Sequence, residues 1–295
     1  MKKVVLTGAT GFLGFALLTE LIQNNVHVYA LCRENSRRRS RLDGLPNVTV
    51  IEEDLSRIEE IDGVSDCDVF YHLAWEGERN NFADQYKNVD ISVNCLKLAE
   101  KVGCRRFICT GSQAEYGNVA DFITEETPLN PTTAYGSCKA ATYYLTADLA
   151  KRLNIEHTWV RVFSVYGPND NPNTLIMSLM RDLQVKGEAR LNTDGEHIWN
   201  YLYEEDVARA LRLLGWNSRS DTIYNLASRD NKPLKEFVEG VWEQMGTDSV
   251  VQYGTDKSTI NLNASSEKIR LAIGDFEKVE FIDGIHKTLR GKKRN

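Results

Sequence analysis

Short apolar runs alternate with longer stretches of helical periodicity through the first half of the chain. Residues 4–7 form the first apolar run, and residues 15–24 follow with leucines and isoleucine at helical spacing. The same alternation predicts further strands at residues 26–31, 48–52, 69–73, 106–110, 158–163 and 222–226, and helices at about 86–102 and 134–153. Continuous apolar strands joined by helices are typical of a parallel sheet covered on both faces. The pattern therefore predicts an α/β fold with a Rossmann-type, doubly wound parallel sheet.

The pattern loosens after Tyr166-Gly167-Pro168, where a loop rich in Asn and Pro begins. No repeat or low-complexity linker marks a separate domain in the second half. We therefore expect a nucleotide-binding domain of residues 1–165 plus about 205–227. Residues 166–204 plus 228–295 are expected to form a smaller, interleaved substrate lobe over the carboxyl ends of the strands.

Composition excludes several classes of protein. The 295 residues carry a formal net charge of −6, which disfavours a nucleic-acid binder, since such proteins depend on a basic surface. No apolar run approaches the roughly 20 residues of a membrane span, and no signal peptide precedes the first strand. The six cysteines show neither CxxC nor Cys/His spacing, so we expect reduced thiols, no metal site and a cytoplasmic protein without membrane or nucleic-acid partners.

A glycine-rich turn joins the first strand to the first helix. Glycines permit the tight turn and bring backbone N–H groups close to a pyrophosphate, and the helix N-terminus adds partial positive charge. Because the turn lies between a strand and a helix, it predicts a dinucleotide site. The expected contacts are Gly8, Thr10, Gly11, Phe12, Leu13 and Gly14.

The residue after the second strand distinguishes NAD from NADP. A carboxylate there accepts the 2′-hydroxyl of NAD, but this chain has Cys32 followed by Arg33. A guanidinium suits a 2′-phosphate, which favours NADP. Glu34 is the contrary observation. If the end of the second strand is displaced by two residues, Glu34 supplies the carboxylate that binds the 2′-hydroxyl of NAD. NADP is the predicted cofactor and NAD the alternative.

Asp54-Leu55 follows the third predicted strand. Asp54 is expected to accept a hydrogen bond from the adenine amino group, and Leu55 to line the same pocket. The alternative is that Asp54 caps the following helix.

Tyr135 and Lys139 lie four residues apart, on one face of a predicted helix. A nearby cation stabilises a phenolate, which makes a tyrosine usable as an acid and base, and the lysine can also bind the nicotinamide ribose. Ser112 follows an apolar strand, where its hydroxyl can bond a substrate carbonyl or alkoxide.

These motifs together resemble the extended short-chain dehydrogenase/reductase family, especially its nucleotide-sugar epimerases, dehydratases and ketoreductases. The resemblance spans almost the whole chain. It rests on the glycine turn, Asp54-Leu55, His72-Leu73-Ala74, Ser112 with Tyr116-Gly117, Tyr135 with Lys139, Arg161 with Tyr166-Gly167-Pro168, and Tyr203 with Asp206-Val207-Ala208.

The resemblance implies roles for individual residues. Tyr135 is then the acid/base, Lys139 its partner and a ribose ligand, and Ser112 the hydroxyl that polarises the carbonyl. Leu73 and Ala74 line the nucleotide, and Phe163 and Ser164 border the nicotinamide and the substrate. The resemblance also implies a homodimer in which the helices at about 86–102 and 134–153 form a four-helix bundle.

Departures from the family pattern narrow the reaction. Sugar-nucleotide 4,6-dehydratases carry Asp-Glu after the catalytic hydroxyl, whereas this chain has Gln113 and Ala114, which disfavours dehydration. Cys32-Arg33 suits an exchangeable NADPH, so we expect reduction of the 4-keto group of a nucleotide-linked deoxy-sugar, with Gln113 among the substrate contacts. A nucleotide-sugar 4-epimerase with bound NAD is the alternative.

The expected diphosphate site is incomplete. Trp199 stands where related chains often carry an Arg, and no Arg lies around residues 254–257. Arg190 and Arg270 are candidate substitutes or simply surface charges, and Trp199 is a substrate platform or a packing residue. An NADPH reductase of a smaller, non-nucleotide carbonyl therefore stays open. A non-catalytic NADP sensor also stays open, although the intact Ser112, Tyr135 and Lys139 set disfavours it.

Overall fold

A computed structural model describes residues 1–58, 60–217, 222–246, 248–257 and 260–292. Its helices and strands are β1 Lys3–Thr7, α1 Phe12–Gln23, β2 His27–Cys32, β3 Val48–Glu52, β4 Val69–His72, α2 Phe82–Lys101, β5 Arg106–Ser112, α3 Ala134–Leu153, β6 Glu156–Val162, β7 Ser164–Tyr166, α4 Leu175–Lys186, β8 Glu188–Arg190, β9 Ile198–Tyr203, α5 Glu204–Asn217, β10 Thr222–Leu226, β11 Asn231–Pro233, α6 Leu234–Met245, β12 Val250–Gln252, α7 Glu267–Ile273 and α8 Phe281–Lys292. None of the described helices is long and apolar enough to cross a lipid bilayer.

Seven parallel strands form the main sheet, in the order β10-β6-β5-β4-β1-β2-β3. Successive side chains of a strand point to opposite faces, so Val4 and Leu6 pack with α1 and α5, and Val5 packs with α2 and α3. Both faces of the sheet are thus buried under helices, which explains the continuous apolar runs. The predicted α/β, Rossmann-type fold is confirmed.

Two helices begin earlier than their periodicity predicts, and a side chain caps one of them. α1 starts at Phe12, directly after Gly11 in extended conformation. α2 starts at Phe82, because the Asn81 side chain accepts a hydrogen bond from the Asp84 backbone N–H. These early starts place both N-termini at the carboxyl edge of the sheet.

The order of the sheet reverses at β1, which pairs with β2 on one side and with β4 on the other. Open α/β sheets bind ligands in the crevice outside the strand ends at such a reversal. The glycine turn after β1 and the segment after β4 border this crevice.

The later segments build smaller sheets beside the carboxyl edge of the main sheet. β11, β9 and β7 form a three-stranded sheet, and β12 pairs with β8. Tyr166, Met180 and Phe237 belong to a core shared by these strands and by α4, α6 and α8. β10 returns to the main sheet, beside β6. The division into two domains stays a prediction.

Candidate active site

The glycine turn is shaped by close backbone approaches. Gly8 has a φ of 77°, and a Cβ there would lie 2.8 Å from the Ala74 backbone nitrogen. A Cβ at Gly14 would lie 2.0 Å from the Gly8 carbonyl oxygen. No side chain caps α1, so the first N–H groups of this helix face the crevice. The turn is therefore closely packed, and the N-terminus of α1 offers N–H donors beside it.

A buried hydrogen-bond chain supports the turn from below. Thr7 Oγ1 lies 2.8 Å from His72 Nδ1 and accepts a hydrogen bond from the Ala74 backbone N–H at 3.2 Å. The other ring nitrogen of His72 lies 2.9 Å from Ser92 Oγ. Burial lowers the pKa of His72 to about 3, so the ring is neutral at physiological pH. The sequence shows His72 in the family pattern but does not reveal this role.

A smaller pocket of about 240 Å³ continues the crevice towards the end of β2. Its lining includes the predicted cofactor contacts Gly8, Thr10, Gly11, Arg33, Asp54, Leu55, Leu73 and Ala74. Asp54 Oδ1 accepts hydrogen bonds from the Ser56 backbone N–H and hydroxyl, and the backbone bond is the main reason for the lowered pKa of Asp54. Asp54 therefore both orders its own turn and borders the pocket.

Arg33 is paired across this pocket. Its guanidinium forms an ion pair with Glu76, which follows β4, and both side chains are more than half exposed. Cys32 is buried at the end of β2. The mouth of the pocket thus contains a carboxylate from Glu76 beside the predicted phosphate ligand Arg33, and sequence spacing does not reveal that pairing.

Tyr135 and Lys139 lie in the first turns of α3, whose N-terminus is capped by the Thr133 side chain. Both line a cavity of about 910 Å³. Lys139 Nζ donates a hydrogen bond to the Thr110 carbonyl at 2.6 Å and lies 5.9 Å from the centre of the Tyr135 ring. The lysine is buried, so its charge faces the phenol with little screening by water.

Ser112 ends β5 and lines the same cavity. Its hydroxyl donates to Gln113 Oε1 at 2.6 Å and accepts from the Ala114 backbone N–H at 3.2 Å. The Ser112 backbone N–H donates to Glu115 Oε1 at 2.8 Å. The serine is therefore fixed on both sides, by the next residue and by Glu115.

Glu115 belongs to a buried network that the sequence did not predict. Arg161 Nε donates to Glu115 Oε2 at 2.8 Å, and the two side chains are 2% and 0% exposed. Trp159 Nε1 also donates to this carboxylate. Burial raises the pKa of Glu115, while Arg161 opposes that rise. The carboxylate is fully used in holding the Ser112 segment and does not line the cavity.

The remaining predicted contacts divide into two groups. Those lining the cavity with Ser112, Tyr135 and Lys139 are Phe12, Leu13, Gly14, Gln113, Phe163, Ser164 and Trp199. Arg190 is not among the residues lining the cavity: it lies on β8, which pairs with β12, and its side chain is 67% exposed and paired with Glu188, in keeping with the alternative of a surface charge. Arg270 is also outside the cavity, in ion pairs with Asp275 and Glu277.

Two cavity residues were missed because they lie in an irregular segment. Trp75 places its ring centre 3.7 Å from Lys139 Nζ and its edge against the Tyr135 ring. The Arg79 guanidinium lies over the Tyr135 ring, 4.6 Å from its centre. Nothing in the spacing of these residues indicates such contacts. No cluster of metal-binding side chains occurs within the described ranges.

Comparison with known proteins adds an independent view of the chain. A model of the NAD dependent epimerase/dehydratase family matches residues 4–227. The chain is 24% identical to a dTDP-D-glucose 4,6-dehydratase of Mus musculus, over 100% of this chain and 89% of the relative. It is 25% identical to a UDP-glucose 4-epimerase of Lactobacillus helveticus, over 97% and 95% of the two chains.

Solved structures share the fold. A UDP-glucuronic acid 4-epimerase from Bacillus cereus in complex with NAD superposes with a TM-score of 0.88 at 20% identity. The match covers 99% of this chain and 97% of the other.

Proposed function

Because this chain belongs to the NAD dependent epimerase/dehydratase family, we propose that it reduces the 4-keto group of a nucleotide-linked deoxy-sugar. The prediction of an enzyme is confirmed by the family, and the particular reaction is our proposal. One observation supports it: Ser112, Tyr135 and Lys139 line the same cavity. The two residues that follow the serine, Gln113 and Ala114, carry an amide and a methyl group.

The residues present fit a nicotinamide dinucleotide. The glycine turn leaves no room for side chains where a pyrophosphate approaches, and α1 presents uncapped N–H groups there. We assign the pyrophosphate to this turn, the adenosine to the pocket beside Asp54 and Leu55, and the nicotinamide to the cavity beside Phe163. When bound, the nicotinamide supplies a hydride to the carbonyl carbon.

Tyr135 donates the proton that completes the reduction. Its phenol is proposed to give that proton to the developing alkoxide, while the Ser112 hydroxyl, once it turns away from Gln113, donates a hydrogen bond to the same oxygen. Lys139 is held by Thr110 and stabilises the phenolate that remains. Its position also allows it to bind the nicotinamide ribose.

The side chains after Ser112 argue against dehydration. Loss of water from a sugar requires an acid and a base at neighbouring carbons, and Gln113 and Ala114 supply neither. Glu115 is the nearest carboxylate in sequence, but it is buried in its ion pair with Arg161. The similarity to a 4,6-dehydratase therefore supports the sugar-nucleotide class and not that reaction.

The choice between NAD and NADP is also part of the proposal. Cys32 and Arg33 favour the 2′-phosphate of NADP, although binding it requires Arg33 to leave Glu76. The description of the family and the NAD-bound neighbour favour NAD. We retain NADP as the proposed cofactor of the reductase and NAD as its alternative.

A 4-epimerase with bound NAD is the second candidate function. It is favoured by similarity to a UDP-glucose 4-epimerase over nearly the full length of both chains. Mass spectrometry of natively purified protein separates the candidates. Stoichiometric retained NAD would indicate an epimerase, whereas an empty or NADPH-exchangeable site would indicate a reductase.

Replacing Tyr135 tests the reductase directly. Tyr135→Phe is expected to lower turnover of UDP- or dTDP-linked 4-keto-6-deoxyglucose by roughly 10²–10⁴-fold, because it removes the proton donor. NADPH binding, measured by fluorescence titration, should stay nearly unchanged. Tyr144→Phe, an exposed tyrosine on the same helix, is the matched control. Unchanged turnover in Tyr135→Phe would rule out the assigned acid.

The proposal also covers the assembly, the domains and the location of the protein. We propose a homodimer formed through α2 and α3, which expose Phe82, Tyr86, Tyr144 and Leu145. We retain the two-domain division given above. We also propose a cytoplasmic location, which accords with six cysteines that are all free thiols.

A further inference from the structure

The segment after β4 is an ordered part of the cavity wall. Two buried side chains of α2 fix its backbone: Gln85 donates to the Glu76 and Glu78 carbonyls, and Asn88 donates to the Glu76 carbonyl. Gln85 also accepts a hydrogen bond from Trp75 Nε1 at 2.7 Å. The segment is therefore built into the fold by buried polar contacts.

This segment places Arg79 beside the reacting phenol. The Tyr135 backbone N–H donates to the Arg79 carbonyl at 3.0 Å, and the guanidinium lies over the Tyr135 ring. Within the part of the chain that is described, the Arg79 side chain forms no ion pair or hydrogen bond. The Arg79 side chain lines the cavity, and its charge has no carboxylate partner there.

The other charges of the cavity are already engaged. Lys139 is the second basic side chain among the lining residues, and it is bonded to Thr110 and covered by Trp75. Asp170 accepts hydrogen bonds from Thr174 and from the Asn171 backbone, and Glu76 is paired with Arg33. Arg79 is thus the cation available to a bound substrate.

We propose that Arg79 binds an acidic group carried by the sugar itself, next to the reacting carbon. The inference rests on the second candidate function, the 4-epimerase, since it takes Tyr135 to act at sugar C4 and needs a C6 that is not deoxygenated. A carboxylate at C6 is attached to C5, which neighbours C4, whereas the diphosphate is attached at C1 across the ring. A guanidinium stacked on Tyr135 therefore lies nearer to the C6 group, and it binds a carboxylate through two parallel hydrogen bonds.

UDP-glucuronic acid and UDP-glucose are matched probes, because they differ only in the oxidation state of C6. Isothermal titration calorimetry with bound dinucleotide should show tighter binding of the acid to the wild type. Arg79→Gln should weaken that binding by roughly 10–100-fold and leave UDP-glucose nearly unchanged, since a hydrogen-bonded charge pair is lost only with the acid. Arg79→Lys should restore part of the preference.

Arg105→Gln is the matched control, since Arg105 precedes β5 at the opposite end of the sheet and is 85% exposed. Equal weakening of both probes and of UDP alone would assign Arg79 to the diphosphate and overturn the proposal, as would no change with either probe. If no UDP- or dTDP-linked sugar bound to the wild type, the 4-epimerase candidate itself would fail, and this inference with it.

Discussion

Glu204, the first residue of α5, is a buried carboxyl group without an adequate partner. Its side chain is 7% exposed, and Oε2 has no hydrogen-bond partner among the described residues. Burial, then repulsion from Glu205 and Asp170, raises its pKa to about 8, against a smaller opposing effect of Arg41. The protonated form is therefore favoured in the folded protein well above the ordinary value of 4.5.

The raised pKa of Glu204 fixes the sign of a pH effect on stability. The folded state holds the proton more tightly than the unfolded state. The stability that protonated Glu204 contributes is therefore complete below pH 4.5 and is lost as the pH rises through 8. Glu204→Gln should remove this loss and stabilise the protein at pH 8 by about 1–2 kcal/mol, with little gain at pH 5. Urea unfolding at both pH values measures the difference.

Glu236→Gln is the control for this prediction, because Glu236 is an exposed carboxylate in the first turn of α6 and is not among the groups that shift the pKa of Glu204. It should change the free energy of unfolding little at either pH. An advantage of Glu204→Gln that was equal at pH 5 and pH 8 would show that the carboxyl group titrates normally.

At the scale of residues, the sequence predicted the site residues whose spacing follows the period of a helix or a strand. Tyr135 and Lys139 are four apart on a helix, and Ser112 ends a strand, so periodicity places them at the same edge of the sheet. Trp75, Arg79 and the Arg33–Glu76 pair depend on an irregular segment after β4. For Arg190 the sequence allows either a substrate contact or a surface charge, because spacing does not show that β8 pairs with β12.

At the scale of elements, α1 and the glycine turn are fitted to each other by backbone contact. Gly14→Ala would place a Cβ 2.0 Å from the Gly8 carbonyl oxygen, and backbone atoms cannot move aside as a flexible side chain does. We expect at least about tenfold weaker dinucleotide binding and about 1–3 kcal/mol lower stability. Fluorescence titration and thermal unfolding measure the two effects.

Gly240→Ala in α6 is the corresponding control. The atoms nearest to its Cβ would all belong to side chains, the end of Ile282 at 3.1 Å and the Phe281 ring at 3.7 Å. Dinucleotide affinity should not change in this variant. Normal affinity in Gly14→Ala would mean that the turn tolerates displacement of α1.

Element length explains part of what the hydrophobic pattern did not predict, although β9, α5 and α6 were also not predicted and contain six, 14 and 12 residues. The strands of the main sheet and α2 and α3 are long enough to show a period, and the sequence located them to within a few residues. β7, β8, β11 and β12 contain three residues each, which is too short to show alternation. Their formation depends on partners distant in the chain.

At the scale of the whole molecule, α2 and α3 form an outer surface with four large exposed apolar side chains. Phe82 and Tyr86 stack at 6.1 Å between ring centres, and Tyr144 and Leu145 lie on the adjoining helix. Apolar residues gathered on one helical face are typical of an interface. Their arrangement supports the proposed dimer.

Light scattering coupled to size exclusion tests the dimer. The wild type should elute with twice the mass of one chain, and Tyr86→Glu with Tyr144→Glu should shift it to the monomer, because two charges cannot be buried without partners. Val185→Glu, which changes an exposed apolar residue of α4, should leave the mass unchanged. A monomeric wild type would refute the proposal.

The return of β10 to the main sheet has a consequence for biosynthesis. β10 pairs with β6, yet it is translated later, after β7, α4, β8, β9 and α5. β6 must therefore leave the ribosome with its outer edge unpaired, and such an edge is a template for pairing with another chain. Until residue 226 emerges, the unpaired edge of β6 can either be bound by a chaperone or pair with another chain and aggregate.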